Sequence, residues 1–355
     1  PFRRRLEVLH EKVGSFPYAL VRQTVVDELG APPESLFAQF DPYPVASASV
    51  AQVHRAVLAN GSEVAVKVLR PHVERIVDRD LRVMRVWARL LALLPPLGAF
   101  APVRVLGEFA HALRAQLDLR REAVNNRRFR NNFSDSNQVR IPALVEELCT
   151  QRVLCMEFVE GARLPLGQQV QQSDQAFDRL ALARAGYHMV LSMVFEHGFV
   201  HADLHPGNLR VDQGRLVFFD VGLVAEVSPE QRKALVRLCL AWATRDADAI
   251  CRHIGQVAFH GETPMNPNAL RDDINALLEH YGDIILADIQ VGQLLLDLLR
   301  LVRRQWVSFD PSFTMVALSI AVVEGVARQL APEMRLMQEA LPFLQRIAAA
   351  DPEGA

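Results

Sequence analysis

Two short segments and one isolated lysine carry the chemistry that this sequence can offer. His201-Ala-Asp203-Leu-His205-Pro-Gly-Asn208 is followed, after a short apolar run, by Phe218-Phe-Asp220-Val-Gly222. Far upstream, Lys67 lies inside the apolar run Glu63-Val-Ala-Val-Lys-Val-Leu69. Phosphoryl transfer needs these residue types: a carboxylate near the acceptor, hard oxygen ligands for magnesium and a cation for the triphosphate. Lys67 is informative because the chain writes its cations as arginine. Of 39 basic residues, only Lys12, Lys67 and Lys233 are lysines. An ammonium on a buried strand must be paired or it loses its proton. Glu108, Asp118 and Glu122 are the candidates, and Glu122 is favoured because Arg120 to Asn126 reads as the polar face of a helix. A surface pairing of Glu122 with Arg127 is the ordinary alternative.

The five-residue step from Asp203 to Asn208 matches a protein-kinase catalytic loop, which aims the Asp at the acceptor and the Asn at magnesium. Asp220 ends an apolar run and is freed by Gly222, as the metal-binding Asp of an Asp-Phe-Gly segment would be. Each piece alone describes an ordinary turn; their order and spacing, with Lys67 upstream, point to one site. His201 and His205 could suggest a metal pair, but no second cluster completes one. His201 is expected to brace the loop backbone and His205 to touch phosphate. The expected nucleotide-covering segment, Val45-Ala46-Ser47-Ala48-Ser49-Val50, lacks the glycines that let backbone amides reach phosphates.

The elements that must position these residues follow from the patterning. An amphipathic helix is expected over 17–30, and strands over 48–58 and 63–69 joined at Asn60-Gly61. Helices follow over 73–94 and 103–132, then a strand pair at 139–147 and 151–159. After a polar loop at 161–172 the chain reads as mostly helical: 174–197, 228–245, 246–258, 267–282, 290–306, 311–330 and 333–349. Short strands at 208–212 and 215–219 interrupt it. The expected fold is α+β and protein-kinase-like. Residues 1–160 would be a small β-sheet lobe with inserted long helices, and 161–355 a mostly helical lobe. With 355 residues, half of them hydrophobic, the chain can bury a large core. A formal net charge of −2 argues against nucleic acid as a partner. Four cysteines without a CxxC pair suggest buried thiols. The longest charge-free stretch, Leu90 to Val103, contains Pro95 and Pro96 and is too short to span a bilayer.

Together with the Ala/Ser loop, Ala51-Gln-Val-His54, Ala65-Val-Lys67-Val, Met156-Glu-Phe-Val-Glu-Gly161 and Val322-Val-Glu-Gly325 give the chain a close resemblance to the UbiB family. These are aarF-domain, protein-kinase-like proteins linked to coenzyme Q (ubiquinone) biosynthesis and lipid homeostasis. The resemblance covers nearly the whole chain. It implies that Lys67 binds the α/β phosphates of ATP and pairs with Glu122, and that Asp203 is the catalytic-loop Asp. Asn208 and Asp220 would hold Mg2+. Ala46, Ser47, Ala48, Ser49 and Val50 would cover the nucleotide, while Glu157, Phe158 and Val159 would meet adenine. The family's alanine-rich loop is associated with ATPase activity rather than ready protein phosphorylation.

The chain departs from the family pattern at three places. Gln116-Leu-Asp118 stands where a Glu-x-Asp motif is usual, Leu204 replaces a common Pro, and Val221 replaces Phe. The family's Lys-x-Gly-Gln helix is expected before residue 1. The leading expectation is a MgATP-dependent ATPase or kinase, cytoplasmic and peripheral at the inner membrane, with no transmembrane segment here. Its partners would be a lipid or quinone precursor, a membrane surface and other quinone-biosynthesis proteins. The alternatives are a nucleotide-binding pseudokinase that chaperones a lipid or complex, and a small-molecule kinase of the aminoglycoside or choline type.

Overall fold

The computed structural model describes residues 14–48, 50–93, 102–164, 178–259, 266–282, 290–304, 308–309 and 311–350. The chain divides into two compact units. The first comprises residues 1–131, 141–160 and 220–223, and the second residues 132–140, 161–219 and 224–355.

The first unit is built on an antiparallel sheet of β1 (Gln39–Phe40), β2 (Ala46–Ser47), β3 (Ala51–Val57), β4 (Glu63–Leu69) and β5 (Val153–Glu157). The order is β1-β3-β4-β5, with β2 paired beside β3. β3 and β4 form the hairpin that Asn60-Gly61 announces; Gly61 takes φ 85°, a conformation that favours glycine. Strand alternation then sorts the side chains between two faces. Val64, Val66 and Val68 pack with Val153 and Cys155 against Val21 and Val25 of α1 (Tyr18–Leu29). Leu69 packs on the other face, with Ala51 and Leu154. Leu119 and Ala123 of α5 (Leu119–Asn132) cover that face. Helices α3 (Val73–Ala92) and α4 (Pro102–Ala115) form a hairpin closed by Leu81 and Ala88 against Leu106 and Ala110. The short α2 (Pro33–Leu36) precedes β1.

Two expectations are corrected in and around this unit. Residues 103–132 form two helices, because Asp118 accepts the Arg120 amide at 3.1 Å and starts a new helix there. The strand pair expected at 139–147 and 151–159 does not form as a hairpin. Val139–Arg140 runs parallel to a strand at 215–218, and β5 pairs with β4.

The second unit is mainly helical. α6 (Arg179–Leu191) runs into a π-helical turn, Ser192–His197, which ends at Gly198 with φ 60°. β6 (Phe199–His201) then pairs antiparallel with β9 (Val224–Glu226), while β7 (Leu209–Asp212) and β8 (Arg215–Phe218) form the antiparallel centre of a four-stranded sheet edged by Ala162–Arg163 beside β7 and Val139–Arg140 beside β8. The helices after them are α7 (Pro229–Ala243), α8 (Ala247–Val257), α9 (Pro267–His280), α10 (Val291–Arg304), α11 (Pro311–Leu330) and α12 (Leu336–Ala349). Ser228 and Gln231 cap α7 with a reciprocal capping box. Within α11, Ser312–Leu330 is long and apolar enough to cross a membrane by length and composition, and 56% of its apolar window is buried within the protein. A search for charge-free runs misses it because Glu324 and Arg328 interrupt the sequence. All four cysteines are free thiols, Cys155 and Cys239 buried and Cys149 and Cys251 half-buried.

Candidate functional site

In the first unit, alternation along β4 turns Val66 and Val68 into the core below α1 and Lys67 toward the face covered by α5. Lys67 lies opposite Val53 of β3 and Leu154 of β5. On α5, Leu119, Glu122, Ala123, Asn126 and Phe129 share the buried stripe at helical spacing. The carboxylate of Glu122 therefore meets the Lys67 ammonium, at 3.0 Å and 2.9 Å from its two oxygens. Asp220 closes the group, its Oδ1 3.0 Å from Lys67 Nζ. Its backbone takes φ 53°, a left-handed conformation uncommon outside glycine. The side chain of Asn125 donates to the carbonyl of Val221 at 2.8 Å and holds that segment in place.

The electrostatics are those of one cation between two anions. Burial alone would lower the pKa of Lys67, but the charges of Asp220 and Glu122 outweigh it and the net direction is upward. Burial pushes the Glu122 carboxyl up, Lys67 pulls it back, and the charge of Asp220 adds to the rise. Asp220 is half exposed, unlike its two partners. A methyl group at Gly222 would sit 3.5 Å from both the Asp220 and Glu122 carboxylates, so glycine keeps the space beside them open.

Of the other carboxylates considered for Lys67, Asp118 pairs with Arg120 at 2.8 Å, and the side chain of Glu108 lies outside the described residues. Arg127 pairs with Glu146, not Glu122. Ser49 also lies outside the described residues. Around it, the turn from Ala46 to Val50 is braced by a residue that sequence reading passed over. Arg70 donates to the Ala48 carbonyl at 3.1 Å and to Ser47 Oγ at 3.2 Å, and its amide donates to the Val50 carbonyl. Its only sequence signal, an arginine directly after the last apolar residue of a strand, is too common to single it out. The Gln52 and His54 side chains are buried. Gln52 Nε2 and His54 Nε2 are 2.9 Å apart, and His54 Nδ1 lies 2.8 Å from the Asp41 carbonyl. In the expected adenine segment, the Glu157 and Phe158 amides donate to Ala143 and Glu63, and among the described residues no acceptor is seen for the Val159 amide.

In the second unit, His201 is fully buried and holds the loop from both ring nitrogens. The Asp203 amide donates to Nδ1 at 3.2 Å, and Nε2 reaches the Phe219 carbonyl at 3.3 Å. A metal held by His201 and His205 is incompatible with this, and no group of three or more metal-ligating side chains occurs among the described residues. Ser319 of α11 donates to the His201 carbonyl at 3.0 Å. Asn208 Nδ2 donates to the Asp203 carbonyl at 3.1 Å, while the Phe219 amide donates to the Asn208 carbonyl. The Asp203 side chain is exposed. His205 Nδ1 accepts the Gly207 amide at 3.0 Å, in a space that a side chain at Gly207 would enter.

The comparisons identify the family. Residues 8–254 match the ABC1 atypical kinase-like domain and residues 274–335 the UbiB helical domain. The chain is 34% identical over 349 residues to the probable protein kinase UbiB of Tolumonas auensis. It is 35% identical over 347 residues to that of Marinobacter nauticus. Each match covers 96% of this chain, but the chain spans only 63% of the length of these relatives. A Mycobacterium tuberculosis protein solved with erythromycin shares the fold, with a TM-score of 0.69 at 23% identity, over 98% of this chain and 87% of that one. A lysine held by a helix carboxylate beside an Asp-x-Gly segment is what a kinase-like domain requires, and the chain belongs to the ABC1/UbiB family of atypical kinase-like proteins.

Proposed function

We propose that this chain is the nucleotide-handling core of a UbiB-type, MgATP-dependent ATPase or phosphotransferase that supports ubiquinone biosynthesis or lipid homeostasis at a membrane face. The observation that carries the reading is Lys67 held between Glu122 and Asp220, each within 3.0 Å. In this reading residues 1–160 cover and grip the nucleotide and residues 161–355 supply the catalytic and metal-binding loops. Lys67 binds the α/β phosphates, and the 46–50 turn with His205 contacts them. Val159, with Glu157 and Phe158, meets adenine. Asp203 faces the acceptor.

The donor chemistry fits magnesium. Asp220 and Asn208 offer hard oxygens, Asp220 is half in solvent, and Gly222 leaves room beside it. Magnesium takes few protein ligands and several from phosphate and water, so a preformed cluster is not required. When bound, the ion would neutralise charge on the phosphates; this chain's own residues fix the cation, the hinge and the loop. Phosphate release by the purified protein, with magnesium and lipid, tests the reading. Asp220→Asn is expected to lower turnover at least about 100-fold, as for loss of a principal electrostatic contact. Unchanged turnover in that variant defeats the proposal.

A nucleotide-binding module without turnover is the second reading. It is favoured by Gln116 in place of an acid and by a glycine-free loop clamped by Arg70. ATP binding without phosphate release under every lipid condition would select it. Transfer of a labelled γ-phosphate to a soluble alcohol would instead select a small-molecule kinase.

A further inference from the structure

One face of the small sheet in the second unit carries more positive charge than the sheet itself answers. Its four strands run in the order Val139–Arg140, β8, β7, Ala162–Arg163, all within that unit. Residues paired across strands point to the same face. One such row reads Arg140, Val217, Arg210, Arg163, and the next sets Asp212 opposite Arg215. The opposite face carries Val139, Leu209, Val211, Leu216 and Phe218, all buried. Four arginines and one aspartate therefore share the face that the core does not use.

The single carboxylate is already engaged: Asp212 Oδ2 pairs with Arg140 Nη1 at 2.6 Å. Among the described residues, no carboxylate reaches Arg163, Arg210 or Arg215. Arg163 and Arg210 stand directly opposite each other. Side chains so paired start about 5 Å apart, and like charges there are destabilising. Arg210 does not relieve this by swinging into solvent. It is half-buried, and its Nη1 donates to the carbonyls of Gly207 at 3.1 Å and Leu209 at 2.9 Å. Burial and the charge of Arg163 both push its pKa down. Those two bonds use one nitrogen. Nε and Nη2, the edge with which a guanidinium grips an oxyanion through two parallel bonds, have no acceptor among the described residues. The bond to Gly207 ties this edge to the 203–208 loop. Two cations set side by side, one of them fixed with its gripping edge open, suit a dianion. A phosphomonoester has about two negative charges near neutral pH and three terminal oxygens, enough for a fork from each arginine. A carboxylate has one charge and would leave the repulsion half answered.

We infer that Arg163 and Arg210 form a binding site for a phosphomonoester group, with Arg215 adding positive charge from the neighbouring strand. The inference deepens the proposed function by naming a phosphate-bearing molecule, other than the nucleotide, as what is held beside the 203–208 loop. It rests on that reading for its role, not for the binding itself. Phosphoester binding and nucleotide turnover are separate measurements, so either can fail alone.

The test is a phosphorus NMR titration of glycerol 3-phosphate with the full chain, free of nucleotide and at fixed ionic strength. Saturable binding is expected. Arg163→Gln and Arg163→Glu should each weaken it at least about tenfold, as for loss of a charge-assisted fork. Arg163 is exposed, so its variants keep the fold. A merely structural arginine would lower the melting temperature when replaced. Without phosphate, Arg163→Glu should instead melt no lower than wild type, because it turns a cross-strand repulsion into a pair. A short-chain phosphatidic acid, below its micelle concentration, is titrated in parallel. Tighter Arg163-dependent binding of that ester assigns the group to a lipid headgroup, and equal or weaker binding assigns it to a soluble molecule; either supports the site. Binding that Arg163→Glu retains, or no saturable binding of either ester, overturns the inference. So does displacement of glycerol 3-phosphate by MgATP, because the arginines would then serve the nucleotide's own phosphates.

Discussion

Lys67 is a buried cation whose protonation is maintained by neighbours, and its removal should be felt through them. With Lys67→Met, Glu122 is left buried without a counter-charge. Breaking a buried pair costs about 3–5 kcal/mol, and a smaller figure of about 2–4 kcal/mol is expected here because Asp220 keeps half its surface in water. The pH dependence has a definite sign. Glu122 already has its pKa raised by burial, and losing Lys67 raises it further. Its protonated form is then the tolerated one, so the stability deficit of Lys67→Met is small at low pH. The deficit grows as pH rises through the folded pKa. Urea unfolding at pH 5 and pH 8 measures it, and adding Glu122→Gln should recover most of the loss at pH 8. At this scale the sequence was readable where an unusual residue stood in an unsuitable place. A lysine among valines demanded a partner; the sequence places Glu122 on a polar helix face, whereas in the structure it lies on the buried stripe with Leu119, Ala123, Asn126 and Phe129. Arg70 was not readable, because an arginine at a strand end is common and its acceptors, Ser47 and the carbonyls of Ala48 and Gly14, lie more than twenty positions away.

At the level of elements, local signals succeeded when the whole cause was local. Asn60-Gly61 set the β3–β4 hairpin, and the helix expected over 228–245 forms as α7, its start fixed by the capping box that the structure shows between Ser228 and Gln231. They failed where a distant strand decided the outcome. Val139–Arg140 has strand character in sequence, but its partner is β8, 77 residues on (Leu216 opposite Val139), and nothing local distinguishes that from a hairpin with β5. The break between α4 and α5 was hidden because the apolar periodicity runs across it, and only the capping by Asp118 ends one helix and begins the next. Gly198 is the element-scale position with the strongest constraint. It takes φ 60° after the π-helical turn, accepts the Val227 amide at 2.9 Å, and leaves no space for a Cβ against the Val227 carbonyl. Gly198→Ala combines a left-handed backbone with a steric clash and is expected to cost more than about 2 kcal/mol in denaturant unfolding. The loss should be larger than for Gly61→Ala, where φ is also positive but nothing lies within 4 Å of the added carbon.

Across the molecule, the helical region has its own titrating group. Glu324 of α11 is fully buried and accepts the amides of Val291 at 2.8 Å and Gly292 at 3.0 Å, so it caps α10 from another helix. Tyr187 of α6 also reaches it, at 3.4 Å. Burial pushes its pKa up to about 7, although the two amides and Arg328 pull it down. Between the ordinary glutamate value of about 4.3 and about 7, the folded protein holds a proton that the unfolded chain has released. This contribution to stability is complete below that window and is lost as pH rises through it, by about 4 kcal/mol in all. Glu324→Gln should flatten the dependence while keeping a side-chain oxygen for one amide, and thermal melts from pH 4 to pH 8 will compare the two. The general architecture, a small sheet-based unit and a larger helical one, was legible from element order. That Glu324 joins three helices was not, since a glutamate within an apolar helix gives no sign of which N-terminus it faces.

The Lys67 ammonium has three protons, and three carboxylate oxygens already take them, two from Glu122 and one from Asp220. The amine is saturated. A phosphate cannot simply add to it; one oxygen must leave for another to arrive, so association at this position is a ligand exchange with little net change in charge pairing. Asp220, the more solvated of the two partners, is the natural leaving group, and a divalent cation that takes up its carboxylate would free the amine in the same event. In the proposed function, nucleotide and metal would therefore bind with positive cooperativity, which titration of nucleotide with and without magnesium will measure.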